Sequence, residues 1–387
     1  MKALRILLLA LASLCCTANA LSDTVKGDFS TSPRTNNGEK WRIGYYEGGP
    51  DANYADYLGA VVRGLMDLGW IEIDKLPNPE AGSSEPLWRW LASRARSEYL
   101  EFVPNAFYSA QWDVALRTEL KRDILRRLDD EPNLDVMIAM GTWAGLDLSN
   151  DKHTVPTIVM STSDPIGTGI IQSAQNSGRD HVHARVDPLR YERQVRMFHD
   201  VIGFSTLGVA YENTVEGRSY AAMGLVEKVA KQRGFEIVPC YTQSDIADRK
   251  RAGESVIECF EKLVKQVDAV YVTQQGGVNA HTIPELVQLA NRHRVPTFSQ
   301  SGSREVKSGF LLSISRPSFL PVGRFLGATI AKVLNGAKPR QLDQLFEEAP
   351  NIAINLKTAE IIGLYLYADV LAASDELYRE IVPPQGQ

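Results

Sequence analysis

Apolar positions along this chain fall into two alternating rhythms. Short, near-continuous apolar runs rich in β-branched and aromatic residues stand at 41–46 (WRIGYY), 99–103 (YLEFV), 134–141 (LDVMIAMG) and 155–161 (VPTIVMS). Five more follow at 206–211, 234–241, 267–273, 295–301 and 309–315. Such runs belong to strands covered on both faces, as in parallel sheets. Between them, longer segments repeat apolar residues three or four apart. In 54–70, Tyr57, Val61, Leu65 and Leu68 share one helical face, and Gly69 stands where a C-cap belongs. Segments 220–234 and 283–294 follow the same pattern. This alternation predicts parallel sheets with helices on both faces, and the number of strands predicts two lobes that part near 165–190. Residues 74–98 break the rhythm with three prolines and Trp88-Arg89-Trp90. They read as an insertion after the first helix, either a surface flap or a loop stapled by its tryptophans, the commoner role of that side chain.

The strands end alike. WRIGYY runs into EGGP, VMIAMG into TWAG, IVMS into TSDP, LGVAY into ENTVEGRS, VYVT into QQGG and TFSQ into SGS. In VPTIVMSTSDPIGTG the apolar half supplies a strand, while Ser161, Thr162, Ser163, Asp164 and Pro165 cannot continue it. Polar residues at the carboxyl ends of parallel strands are where open α/β sheets bind ligands. Two such rims facing one another would form a cleft between lobes.

Bulk properties narrow the choice. The net charge of −5 argues against a nucleic-acid partner. Lys2 and Arg5, an apolar run to Cys16 and Ala18-Asn19-Ala20 have the layout of a cleaved signal peptide over 1–20, too short to span a bilayer. Leu14 before Cys15 disfavours lipidation, so the expected location is periplasmic. Residues 21–40 read as a flexible leader. Cys240 and Cys259 remain after cleavage; an oxidising compartment permits a disulfide between them, and two buried free thiols fit equally well.

Catalytic signatures are missing: no G-x-S-x-G, no P-loop, no H-E-x-x-H and no dinucleotide fingerprint. His181 and His183 offer at most half a metal site and read as exposed linker residues. The chain is therefore expected to be no enzyme, with no cofactor and no metal.

GT-x-A at 141–144 and VPTIVMSTSDPIGTGII at 155–171 resemble the ABC-type solute-binding proteins with the type I periplasmic-binding fold. The likeness continues through LGVAYENT (207–214), VDAVYVTQQGGV (267–278), VPTFSQS (295–301) and INLKTA (354–359). It spans about 41 to 364 apart from 74–98. It implies an α/β fold of two doubly wound parallel-sheet lobes joined by a three-crossover hinge, near 165–187, 301–316 and 339–352. Lobe I would hold 41–165 with 303–340, and lobe II 166–302 with 341–387. Matching positions are Tyr46, Glu47, Thr142, Ala144, Ser163, Asp164, Asp187, Tyr211, Glu212, Gln274, Gln275, Gln300 and Ser301. Gly217-Arg218-Ser219, QQGG and HVHARVD depart from the family pattern, so a relative's ligand does not transfer.

The expected ligand set keeps these except Ala144, Glu212 and Ser301, and adds Tyr45, Trp143, Ser161 and Arg218. Ser161, Ser163 and Asp164 would hydrogen-bond the ligand, with Asp164 favouring an ammonium group. Tyr45 or Tyr46 and Trp143 would stack on an apolar part, and Arg218 would either take a carboxylate or pair on its helix surface. The role implied is a monomer that captures a small molecule, an amino acid or aromatic compound, and delivers it to an ABC importer permease. The alternative is a periplasmic ligand sensor that signals to a membrane receptor.

Overall fold

The computed structural model describes residues 28–51, 53–77, 83–130, 133–315 and 318–384. The expected signal peptide lies outside the described residues.

The first sheet holds β1 (Trp41–Glu47), β2 (Leu100–Ser109), β3 (Val136–Met140), β4 (Thr157–Met160) and β5 (Val182–Ala184), in the order β2-β1-β3-β4-β5 and all parallel. Every residue of β3 and β4 is buried, as the unbroken apolar runs require. Edge strand β2 runs past the expected 99–103. Its register with β1 shifts between Ile43↔Phe102 and Tyr45↔Phe107, and Pro104, which has no N–H to give, lies in that irregularity. Helices α1 (Tyr54–Asp67), α2 (Glu85–Arg94), α3 (Val114–Asp129) and α4 (Gly141–Leu148) cover this sheet.

The second sheet contains β6 (Thr206–Tyr211), β7 (Glu236–Tyr241), β8 (Ala269–Val272), β9 (Thr297–Ser299), β10 (Leu312–Ser315), β11 (Asn351–Asn355) and β12 (Glu376–Tyr378). Its order is β12-β11-β10-β9-β8-β6-β7, with only β10 and β11 antiparallel. Around it lie α5 (Arg190–Ile202), α6 (Val215–Tyr220), α7 (Met223–Arg233), α8 (Arg249–Leu263), α9 (Ile283–His293) and α10 (Ser303–Lys307). Beyond them are α11 (Leu320–Leu334), α12 (Leu356–Ile362) and α13 (Ala368–Ala372).

Helix α11 returns to the first lobe and packs on α1 at close range. A Cβ on Gly323 would sit 2.3 Å from the Ala60 carbonyl carbon, and one on Gly64 would sit 2.6 Å from the Gly323 oxygen. The glycines are what let the two backbones meet. The chain thus passes between lobes three times, after β5, after β10 and before β11. At the first and third passages Val186 bridges Leu345 in parallel, and Phe346 N–H donates to the Val186 carbonyl.

Several expectations change. Strand β5 falls within 166–302 yet hydrogen-bonds β4, and β10 falls within 303–340 yet lies in the second sheet. Both boundaries therefore move toward the actual crossings. His181 and His183 are buried rather than exposed in a linker. His183 Nε2 lies 2.8 Å from the Asp343 carbonyl, and burial pushes its pKa down to about 4. Residues 28–40, the described part of the expected flexible leader, are tied down: Trp70 Nε1 donates to the Thr31 carbonyl and Asn335 Nδ2 to that of Ser32. The insertion supplies α2, and Trp88 is fully buried in the first core with its Nε1 donating to the Val103 carbonyl. Cys240 and Cys259 form a disulfide between β7 and α8.

Candidate functional site

The carboxyl ends of both parallel sheets point toward the boundary between lobes, and the polar strand ends gather there. Glu47 closes β1 and is fully buried. Its Oε2 accepts from Tyr45 at 2.7 Å, its Oε1 accepts from Ser109 at 3.0 Å, and Ser84 lies 2.9 Å from the Tyr45 phenol oxygen. Burial pushes its carboxyl up to about 7 despite these hydroxyls.

The turn after β1 is shaped by contact with Trp112. A Cβ on Gly49 would meet the Trp112 ring at 2.5 Å, so only glycine lets the indole lie against the chain. Trp112 Nε1 donates to the Pro50 carbonyl at 3.0 Å, and its ring meets Trp143 edge-on at 5.3 Å. Asp51 accepts from the Asn53 N–H, and burial raises its pKa. Tyr54 then opens α1, and its hydroxyl lies against Gly141, where a Cβ would be 2.0 Å away.

The second lobe brings Tyr220, Asp245 and Arg249 to the same place. Asp245 follows β7; burial, then the charge of Glu212, push its carboxyl up to about 7. Glu212 Oε2 accepts from the backbone N–H groups of Ser244 and Asp245. Arg249 opens α8 and donates to the Pro50 carbonyl at 2.6 Å, its guanidinium 5.7 Å from the centre of the Trp112 ring. A second arginine crosses in the other direction. Arg117 of α3 binds Asp147 at 2.8 Å and Glu216 of α6 at 2.8 Å while lying 4.4 Å from the centre of the Trp143 ring. The lobes are therefore held together in a closed arrangement, with α4 packed against α6 across the boundary.

Two buried oxygens at this boundary have no hydrogen-bond partner, Thr142 Oγ1 in the first turn of α4 and Ser219 Oγ in α6, while Tyr220 Oη and Asp245 Oδ2 have none beyond each other. Buried polar groups are rarely left so. Ligand atoms meeting them would remove that penalty.

The residues expected from the sequence spread more widely. Glu47 and Thr142 lie at the boundary, and Trp143 packs with Trp112 beneath it. Tyr45 and Tyr46 are fully buried on opposite sides of the first sheet, Tyr46 donating to Asp147 at 2.9 Å. Ser161 turns the chain off β4 with φ 56°, Ser163 follows it partly exposed, and Asp164 caps its own turn by accepting from Gly167 N–H at 2.8 Å. Asp187 is buried at the hinge and paired with Arg193 at 3.1 Å. Arg218 pairs with Glu227 at 2.8 Å and donates to Tyr211, the surface pairing that the sequence left open. Gln275 accepts from Thr242 and donates to the Ala210 carbonyl; Gln300 accepts from Gln274 N–H and donates to the Tyr220 carbonyl.

Asp51, Tyr54, Trp112, Tyr220, Asp245 and Arg249 were not among the expected residues. A sequence signal exists for Trp112 and Asp245, which follow β2 and β7 as the strand-end rule requires; the other four stand in the turn after β1 or on helices. Among the described residues no group of three or more His, Cys, Asp or Glu could hold a metal ion, and no helix is long and apolar enough to cross a membrane.

The family of ABC transporter substrate binding proteins matches residues 115–378, more than half of the chain. The chain belongs to that family. A tyrosine-binding protein of Clostridioides difficile (strain R20291) is 22% identical to this substrate-binding protein over 232 residues, 59% of this chain; the match spans 63% of that relative's length. Among solved structures, an ABC domain from Streptococcus pneumonia in complex with L-Trp gives a TM-score of 0.66 at 18% identity, over 88% of this chain and 100% of that one. A conserved domain protein from Vibrio cholerae gives 0.65 at 18% identity with the same coverage. At such identities the likeness is one of fold. The substrate-binding protein has two α/β lobes of the type I periplasmic-binding kind, parallel apart from the β10–β11 pair, and its family works outside the cytoplasm.

Proposed function

We infer that this substrate-binding protein captures an amino acid or a related small solute between its lobes and delivers it to an ABC importer in the periplasm, after removal of residues 1–20. One observation carries the reading. Carboxylates, phenols and buried hydroxyls without partners converge from two lobes on one boundary, and arginines tie that boundary shut. A zwitterionic amino acid matches this mixture of acidic groups, a guanidinium and the N–H groups of the first turn of α4. Lobe closure over the solute would shift the population toward the form an importer engages. The tyrosine-binding relative and the L-Trp-bound neighbour add to the case for an amino acid.

A thermal-shift screen of the protein from residue 21 onward against the common amino acids, sugars and purines tests the reading. A true ligand at a hundredfold excess over its dissociation constant stabilises the folded state by about 2.7 kcal/mol. Uptake of that ligand should then fall in cells lacking the protein. Silence across all amino acids would end the proposal.

A further inference from the structure

The acidic and basic groups at the boundary do not balance. Glu47 and Asp51 approach from the first lobe and Asp245 from the second, and Tyr54 lies within electrostatic reach of all three and of Arg249. Arg249 faces Asp51 and Asp245. Three carboxylates against one guanidinium leave two negative charges in excess when all are ionised. Among the described residues neither Glu47 nor Asp245 has an ion-pair partner. The neighbours of Glu47 are Tyr45, Ser84, Ser109, Asp51 and Tyr54; those of Asp245 are Glu212, Glu216, Tyr220, Ser244 and Arg249.

Independent of the charges, fully buried Thr142 has an unpartnered hydroxyl one residue beyond Gly141, the residue against which the Tyr54 hydroxyl rests. Ser219, also buried, has one on α6, the helix that α4 meets from the other lobe. The boundary therefore holds both unspent hydrogen-bonding capacity and negative charge that Arg249 does not balance. Buried charge is tolerated when it is paired, and Arg249 alone cannot pair three carboxylates.

We propose that the solute is a small cation bearing amine or guanidine groups, a basic amino acid or a diamine, whose positive charge is taken up by Glu47 and Asp245. Arg249 and the first turn of α4 are left for a carboxylate where the solute has one. Burial holds both acceptors near a pKa of 7; a bound ammonium would return them to the ionised form. The inference rests on the substrate-binding reading and narrows it away from neutral aromatic amino acids.

Calorimetric titration with L-arginine, L-lysine, putrescine, L-tyrosine and L-tryptophan tests it. At least one of the three cations should bind tenfold or more tighter than either aromatic amino acid. Glu47→Gln and Asp245→Asn should each weaken that cation by about tenfold or more, as expected for loss of a charge-assisted contact. The second variant keeps the test decisive if the first misfolds. Tighter binding of tyrosine or tryptophan would overturn the cationic assignment and leave the substrate-binding reading intact. Cation binding that both folded variants retain unchanged would remove it from this cleft. Binding of none of the five would overturn the cationic inference and leave the amino-acid reading to the wider thermal-shift screen.

Discussion

Arg249 of the second lobe donates to the backbone carbonyl of Pro50 in the first, the same oxygen that Trp112 Nε1 binds from within its own lobe. A single carbonyl thus carries one bond from within its own lobe and one from across the boundary. Arg249→Ala should remove the second and spare the first. A charge-assisted bond of this kind contributes about 1.5–3 kcal/mol, so affinity for the solute should fall roughly tenfold to hundredfold. Titration calorimetry measures it, and an unchanged dissociation constant would separate Arg249 from closure.

The Glu47 carboxyl, ordinarily near 4.5 and held at about 7, has a folded-state pKa above its unfolded one. Between those values the native state keeps a proton that the unfolded chain has lost. Its contribution to stability therefore declines as pH rises from about 4.5 to about 7, and the decline is complete above that range. The shift corresponds to about 3 kcal/mol in total. Glu47→Gln removes this dependence. The melting temperature of the variant relative to the parent should climb between pH 5 and pH 7.5 in the absence of solute. A gap that is flat across that range would show that Glu47 titrates normally.

The Cys240–Cys259 disulfide closes a loop of sequence separation 19 between an edge strand and the helix that follows it. A loop of that size contributes about 3 kcal/mol by restricting the unfolded chain. Thermal unfolding with and without reductant should therefore differ by several degrees, and Cys259→Ser should melt with the reduced protein.

Arg218 makes the opposite case. It is more than a third exposed and its partner Glu227 is nearly half exposed, on the outer side of α6 and α7. Exposed pairs contribute between nothing and about 1 kcal/mol. Arg218→Ala should leave solute affinity within about twofold of the parent. A tenfold loss in calorimetry would return Arg218 to the binding site.

What the sequence made legible follows from how each feature is encoded. The apolar runs of β3, β4 and β8 announced themselves because both faces of those strands are buried. Strand β5 did not, since three residues reading VHA give no run to detect, and its pairing with β4 is a tertiary event. Pro104 hid the second half of β2, because a register shift and a strand end look alike in one dimension. In the site, Glu47 and Thr142 were reachable because one ends a strand and the other stands just beyond one. Asp51, Tyr54 and Arg249 act from a turn and from first helical residues, and they converge only when the lobes meet. Asp187 and Gln300 show the converse, polar strand-end residues spent on the protein's own framework.

The glycine contact between α1 and α11 joins residues far apart in the sequence. The first lobe waits for α11, so its core stays open at Gly64 and its neighbours until the chain has been made as far as Leu334. At about 5–20 residues per second, that delay is on the order of tens of seconds on the ribosome. During it, a half-built sheet with an uncovered helix has to be kept from sticking to others. Nascent chains stalled before α11 should be the form of this protein that chaperones hold longest.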